Sequence, residues 1–170
     1  ACRDGAVGGA RDLGVDVANL NSLDQVVISG PVAGVDAADA RIAEKLAQAE
    51  VIRLNVSAPF HSRLMRGIEA EFRRELEAVS SGFDAARSTR VTSNLRGGYH
   101  SGALEDLLTA LTGQISGTVN WVANMRALTA SAPRVVEVGP NRPLKRFFST
   151  LGVEITSIMN VKTAQKGLVS

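Results

Sequence analysis

Histidine occurs twice in this chain and cysteine once, so few residues could carry acid–base or covalent chemistry. The more informative histidine stands in Ser57-Ala58-Pro59-Phe60-His61-Ser62. Pro59 biases Ala58 away from helix, so the strand expected over Val51–Ser57 runs out extended to that point. Ser62 is a residue type that caps helix N-termini. Leu64, Ile68, Phe72 and Leu76 recur every fourth residue behind it, which predicts one helix over Ser62–Val79. His61 then sits at a strand-to-helix junction, where the positive end of the helix dipole disfavours imidazolium and leaves the ring available as a general base. The competing reading is a hydrogen-bonded structural histidine. His100 lies in the polar loop Gly97-Gly98-Tyr99-His100-Ser101-Gly102 and is expected to be a solvated surface residue. No nucleophile accompanies the base. A serine elbow needs G-x-S-x-G between strand and helix; Ser101 falls one place too late, and neither Ser29 nor Ser57 has flanking glycines.

The elements that must position these residues alternate short strands with amphipathic helices, the pattern of an α/β layered protein. Val15–Leu20 and Gln25–Ser29 are expected strands, the second closed by Gly30-Pro31. Val35, Ala38, Ile42 and Leu46 form one face of a helix between Val32 and Ala49. After the long helix, Ser80–Thr89 reads as a polar connection and Arg90–Ser93 as a short strand. Leu104, Leu107, Leu108 and Leu111 mark a helix. Val119–Ala130 is another, with Trp121 and Val122 turned inward. Arg134–Val138 reads as a buried strand stopped by Gly139-Pro140. Leu144, Phe147, Phe148 and Leu151 mark a short helix, and Glu154–Met159 a last strand. Residues 1–14 are Gly-rich and weakly helical.

The 170 residues suffice for one domain or a large piece of a bigger one. Hydrophobic residues at 45% exclude a disordered chain, and no apolar run approaches the roughly 18 residues of a membrane helix. A net charge of +2 and 4% aromatics argue against a nucleic-acid surface. Cys2 stands alone, which excludes an internal disulfide, offers no zinc cluster and fits a reducing, cytoplasmic setting. The start at Ala1, with no compact apolar core behind it, is expected to reflect processing or excision from a longer chain rather than a signal peptide.

Four segments resemble one family. Ala18-Asn19-Leu20-Asn21-Ser22 with Gln25-Val26-Val27-Ile28-Ser29-Gly30 resembles its A-N-x-N-S…Q-V-V-I-S-G. Val56-Ser57-Ala58-Pro59-Phe60-His61-Ser62-Arg63-Leu64-Met65 resembles V-S-x-P-F-H-S-x-L-M. Gln114 with Val119 and Trp121 matches a Q-to-W spacing, and Val136-Glu137-Val138-Gly139-Pro140 matches an E-V-G-P turn. In order and spacing, the chain looks like the C-terminal portion of malonyl-CoA:acyl-carrier-protein transacylase, the acyltransferase family of fatty-acid and polyketide synthesis. The resemblance implies a hydrolase-like α/β core with an inserted ferredoxin-like small subdomain. Residues 1–56 would be part of the small subdomain and 57–170 the C-terminal part of the core. It implies transfer of malonyl from coenzyme A to the phosphopantetheine thiol of acyl carrier protein, through an acyl-serine. No bound cofactor is implied, and no nucleic acid or membrane partner.

Carried over residue by residue, His61 matches the catalytic base, and Gln114 the residue whose main-chain carbonyl orients it. Asn21 and Gln25 match positions lining the substrate cleft, while Asn19 matches a strand end. Phe60 matches a position where Phe goes with malonyl rather than branched acyl groups. The plainer reading of Asn19, Asn21 and Gln25 is satisfaction of backbone groups in a strand-turn-strand. The family's serine elbow, oxyanion Gln and carboxylate-binding Arg have no counterpart here. Asn141 replaces the usual Gly after Gly139-Pro140, and Thr118 a common Pro. The chain alone is therefore expected to be inactive and to bare apolar faces toward a missing N-terminal half of the fold. The alternatives are a non-catalytic module that binds carrier protein or a partner, and a fragment of a polyketide synthase acyltransferase domain.

Overall fold

The computed structural model describes residues 12–168. Cys2 and all but the last three residues of the weakly helical stretch 1–14 lie outside them. The description opens with an antiparallel hairpin, β1 (Asp16–Leu20) and β2 (Val26–Ser29), whose register runs from Asp16 opposite Ser29 to Leu20 opposite Val26. Its turn is tied by the Asn21 and Ser22 amides, both donating to the Gln25 carbonyl. Helix α1 (Val32–Lys45) lays the expected face on this hairpin, burying Ala38 against Val15 with Val17, Ile28 and Val35 around them. It ends earlier than the pattern predicts: Leu46 donates the last helical bond to the Ile42 carbonyl, but its own backbone has left the helical region at φ −130° and ψ 66°.

Two elements depart from expectation before the site is reached. Val51–Val56 is not a strand. A strand exists by virtue of its ladder, and no described segment supplies one here. Val51, Ile52, Leu54 and Val56 all face solvent, and Arg53 is ion-paired with Asp36 of α1. The helix expected over Ser62–Val79 is divided, with a 3-10 segment Arg63–Ile68 leading into α2 (Glu69–Val79). Ser62 stands at the N-cap position, but its hydroxyl turns back to donate to the Pro59 carbonyl at 2.6 Å, so the first turn is uncapped. Gly67, in the following turn, adds no side chain to hold the segment. The stripe of Leu64, Ile68 and Phe72 is exposed, and α2 buries no residue.

The expected polar connection contains two short 3-10 turns, Ser80–Gly82 and Ala85–Arg90. The hairpin β3 (Thr92–Ser93) and β4 (Gly98–Tyr99) follows. It turns at Gly97, whose φ of 70° and contact with Ala123 leave no room for a side chain. Helices α3 (Leu104–Gly113) and α4 (Trp121–Ser131) bury Leu108, Ala110, Val122 and Met125, and Trp121 packs against that core as expected. Strand β5 (Val136–Val138) pairs in parallel with β6 (Thr156–Ile158) across helix α5 (Pro143–Ser149). Met125, Val122, Phe148 and Ile155 make the main core.

β5 is not the buried strand its composition suggests. Val138 is 77% exposed, whereas Glu137 is buried, accepting the Leu144 amide at 2.8 Å and the Ser157 hydroxyl at 2.9 Å. No described segment covers the Val138 side of the strand. A final helix, α6 (Val161–Leu168), was not expected; Asn160 caps it, its side-chain carbonyl accepting the Thr163 amide at 3.0 Å. The described residues are thus a mixture of helices and three two-stranded sheets. No helix among them is long and apolar enough to cross a membrane.

Candidate active site

The chain reaches His61 along the irregular stretch before Pro59 and turns sharply there. His61 has a φ of 58°, the left-handed region, and is the described non-glycine residue with a positive φ. Such a conformation costs on the order of 1–3 kcal/mol and persists only where the surroundings enforce it. Two consecutive carbonyls just past the end of α3 do so. The His61 amide donates to the Ile115 carbonyl at 3.1 Å, and Nδ1 lies 2.8 Å from the Gln114 carbonyl. A carbonyl only accepts, so in the neutral ring the proton is on Nδ1 and the Nε2 lone pair is free. The Gln114 side-chain nitrogen, 3.5 Å from Nδ1, is then a donor facing a donor and makes no hydrogen bond.

His61 lines a cleft of about 380 Å³, with Asp16 and Leu20 of β1, Arg63, Arg66 and the segment 116–118. Gly117 is required in that wall: a Cβ would meet the Leu95 side chain and the Gly113 carbonyl. Arg63 donates to the Asp16 carboxylate twice, from its amide at 2.9 Å and from Nε at 3.0 Å. Burial raises the Asp16 carboxyl, but these hydrogen bonds and the charges of Arg63 and Arg66 outweigh it and hold the group below the usual carboxylate value. Among the described residues no cluster of three or more His, Cys, Asp or Glu is placed to hold a metal ion.

The other predicted site residues are placed differently. The Asn21 side-chain amide donates to the Gln25 side-chain oxygen at 3.0 Å, so the two satisfy each other at the hairpin turn and do not line the cleft. Phe60 is half exposed and also outside the lining. His100, expected in solvent, is buried, its Nδ1 3.7 Å from an Asp106 carboxylate oxygen and without a hydrogen-bond partner. The hairpin β3–β4 ends just before it, and the His100 amide donates to the Val91 carbonyl at 3.1 Å, which holds the residue in place. Asp16, Arg63 and Arg66 were missed from sequence; two arginines at i and i+3 directly after His61 were the available signal.

No family model matches the chain. It is 34% identical over 127 residues to the polyketide biosynthesis protein ThaF of Burkholderia thailandensis, covering 74% of this chain and 10% of that protein. It is 36% identical over 131 residues to the malonyl CoA-acyl carrier protein transacylase of Synechocystis sp., covering 76% of this chain and 42% of the relative. The crystal structure of malonyl-CoA:acyl carrier protein transacylase from Xanthomonas oryzae pv. oryzae superposes with a TM-score of 0.82 at 22% identity, over 98% of this chain and 54% of that one. The chain thus spans less than half of these curated relatives and about half of the solved chain. By sequence over three-quarters of its length, and by fold over nearly all of it, this chain is similar to malonyl-CoA:acyl-carrier-protein transacylases and has the fold of about half of one.

Proposed function

We propose that the chain is the C-terminal portion of a malonyl-CoA:acyl-carrier-protein acyltransferase and supplies its general base. Residues 1–56 belong, in this reading, to a ferredoxin-like small subdomain and 57–170 to a hydrolase-like core. The observation that carries it is the 2.8 Å contact of His61 Nδ1 with the Gln114 carbonyl, in the wall of a cleft. With Nδ1 committed, Nε2 takes the proton of a serine hydroxyl contributed by another stretch of polypeptide as that oxygen attacks the malonyl thioester. The tetrahedral intermediate collapses, the carbon–sulfur bond breaks, and the imidazolium returns the proton to the departing coenzyme A thiolate. The phosphopantetheine thiol of acyl carrier protein then gives its proton to Nε2 as its sulfur attacks the acyl-serine carbonyl, the carbon–oxygen bond to serine breaks, and the imidazolium returns the proton to the departing serine oxygen, completing a ping-pong cycle. Coenzyme A thioester and carrier protein are substrates, and the scheme uses no cofactor. A carbonyl dipole orients the ring as a triad carboxylate would, without adding a full charge.

The exposed apolar stripe of Leu64, Ile68 and Phe72, with the ladderless Val51–Val56, supports a missing half that covers them. The same absence makes the chain inactive alone, in a cytoplasmic enzyme. Asn21, Gln25 and Phe60 lie outside the cleft wall that holds His61, so this reading assigns them as substrate contacts only on a surface completed by that half. Similarity to ThaF favours a second setting for the same chemistry, an acyltransferase domain within a polyketide assembly. The test is to express the protein encoded by the complete reading frame around this segment and to follow malonyl transfer to holo acyl carrier protein. Transfer is expected, with a G-H-S-x-G elbow upstream. A reading frame without such an elbow, or a folded protein that transfers nothing, contradicts the proposal.

A further inference from the structure

His61 belongs to a closed circuit of hydrogen bonds. Strand β1 holds the segment 118–119 through three of them: the Leu20 amide to the Val119 carbonyl (2.9 Å), the Val119 amide to the Ala18 carbonyl (2.8 Å) and the Thr118 hydroxyl to the Val17 carbonyl (2.7 Å). A few residues earlier that segment presents the Gln114 and Ile115 carbonyls to His61. Two residues beyond His61, the Arg63 amide and Nε return the chain to β1 at the Asp16 carboxylate. The left-handed residue is therefore fixed on both sides to one strand. An ion pair whose arginine side chain is 46% exposed contributes little to stability by itself. Its position, closing the circuit around a strained backbone, gives it another use.

We propose that Asp16 is a positioning residue for His61: by gripping the Arg63 amide and guanidinium it keeps residue 61 in its left-handed conformation, with Nδ1 on the Gln114 carbonyl. Removing the grip leaves the junction anchored on one side only. The φ of His61 then relaxes and the ring samples orientations in which Nδ1 has lost its acceptor. The structural half of this inference stands on the hydrogen bonds alone; its kinetic half rests on the acyl-transfer reading of His61.

The test compares Asp16→Ala, Asp16→Asn and His61→Ala in the protein encoded by the complete reading frame. Long-range proton–nitrogen NMR of labelled histidine is expected to give one Nδ1–H tautomer for His61 in the parent and a tautomer mixture in Asp16→Ala. The Asn side chain still accepts from the Arg63 amide, so Asp16→Asn is expected to restore the single tautomer. In transfer assays Asp16→Ala is expected to lower kcat about tenfold to a hundredfold, as small misplacements of reacting groups do, with KM within about twofold and the Asn variant within about threefold of the parent. If Asp16→Ala does not fold, Asp16→Ser and Asp16→Val, which lack the carboxylate that both Arg63 donors share, replace it in the same comparison. A single unchanged tautomer in the alanine variant, or equal losses in the alanine and asparagine variants, overturns the proposal. If His61→Ala leaves kcat unchanged, the acyl-transfer reading fails, while the NMR comparison still decides the clamp.

Discussion

His61 and His100 are related by contrast. His100 is 7% exposed, packed in a loop behind a short hairpin, and faces a carboxylate too distant for a hydrogen bond. His61 is only half-buried, yet its amide and Nδ1 are both on carbonyls, its backbone is strained, and its ring lines a cleft. Burial by itself therefore gives an imidazole that packs. One nitrogen committed to a fixed acceptor, with open space beside the ring, gives an imidazole that can move a proton.

The sharpest way to break this contrast is to delete each ring in the protein encoded by the complete reading frame and to follow the proposed transfer. His61→Ala is expected to lower malonyl transfer by about 10²–10⁴, the usual contribution of a positioned base, with its thermal unfolding midpoint near the parent's. Gly117→Ala tests whether the cleft wall beside His61 tolerates a methyl group. It is expected to cost about 1–3 kcal/mol in chemical denaturation through its clash with Leu95 and the Gly113 carbonyl. His100→Ala should show the opposite signature, a loss of about 1–2 kcal/mol in stability with transfer within about twofold.

The smallest effect lies in acid. Asp16, beside His61, and Asp106, beside His100, are both held below the ordinary carboxylate value of 3.8. For Asp16, burial acts upward and Arg63 outweighs it; for Asp106, the Ser101 amide hydrogen bond leads the lowering. A depressed carboxylate stabilises the fold fully above its unfolded value, and that contribution disappears as pH falls through the depressed folded value. Thermal unfolding midpoints should therefore hold down to about pH 4 and decline below it, and Asp16→Asn should flatten part of that decline.

What was legible in the sequence follows from how local each signal is. The β1–β2 hairpin, the inner face of α1 and helices α3 to α5 declare themselves by apolar period and by Gly and Pro punctuation, which need no distant partner. Val51–Ser57 carries a strand's alternation, but a strand needs a neighbour. Ser62 has the type of a cap, but its hydroxyl finds Pro59 first. The burial of Glu137 depends on an amide seven residues away and a hydroxyl twenty away, which no local pattern encodes. At the site, Pro59 and the residues after it mark the junction. The pairing of His61 with Gln114 spans fifty-three positions and entered only through a family resemblance, while the bond of its amide to the Ile115 carbonyl left no signal at all. The grip of Asp16 on Arg63, across forty-seven positions, left no trace in spacing.

The most direct measurement is rapid-quench mass spectrometry of the complete protein mixed with malonyl-CoA. The account predicts a malonyl ester on a serine within one turnover in the parent, forming at least about a hundredfold more slowly in His61→Ala. A serine that is acylated at the parent rate without His61, or a parent that never carries covalent malonyl, would contradict it.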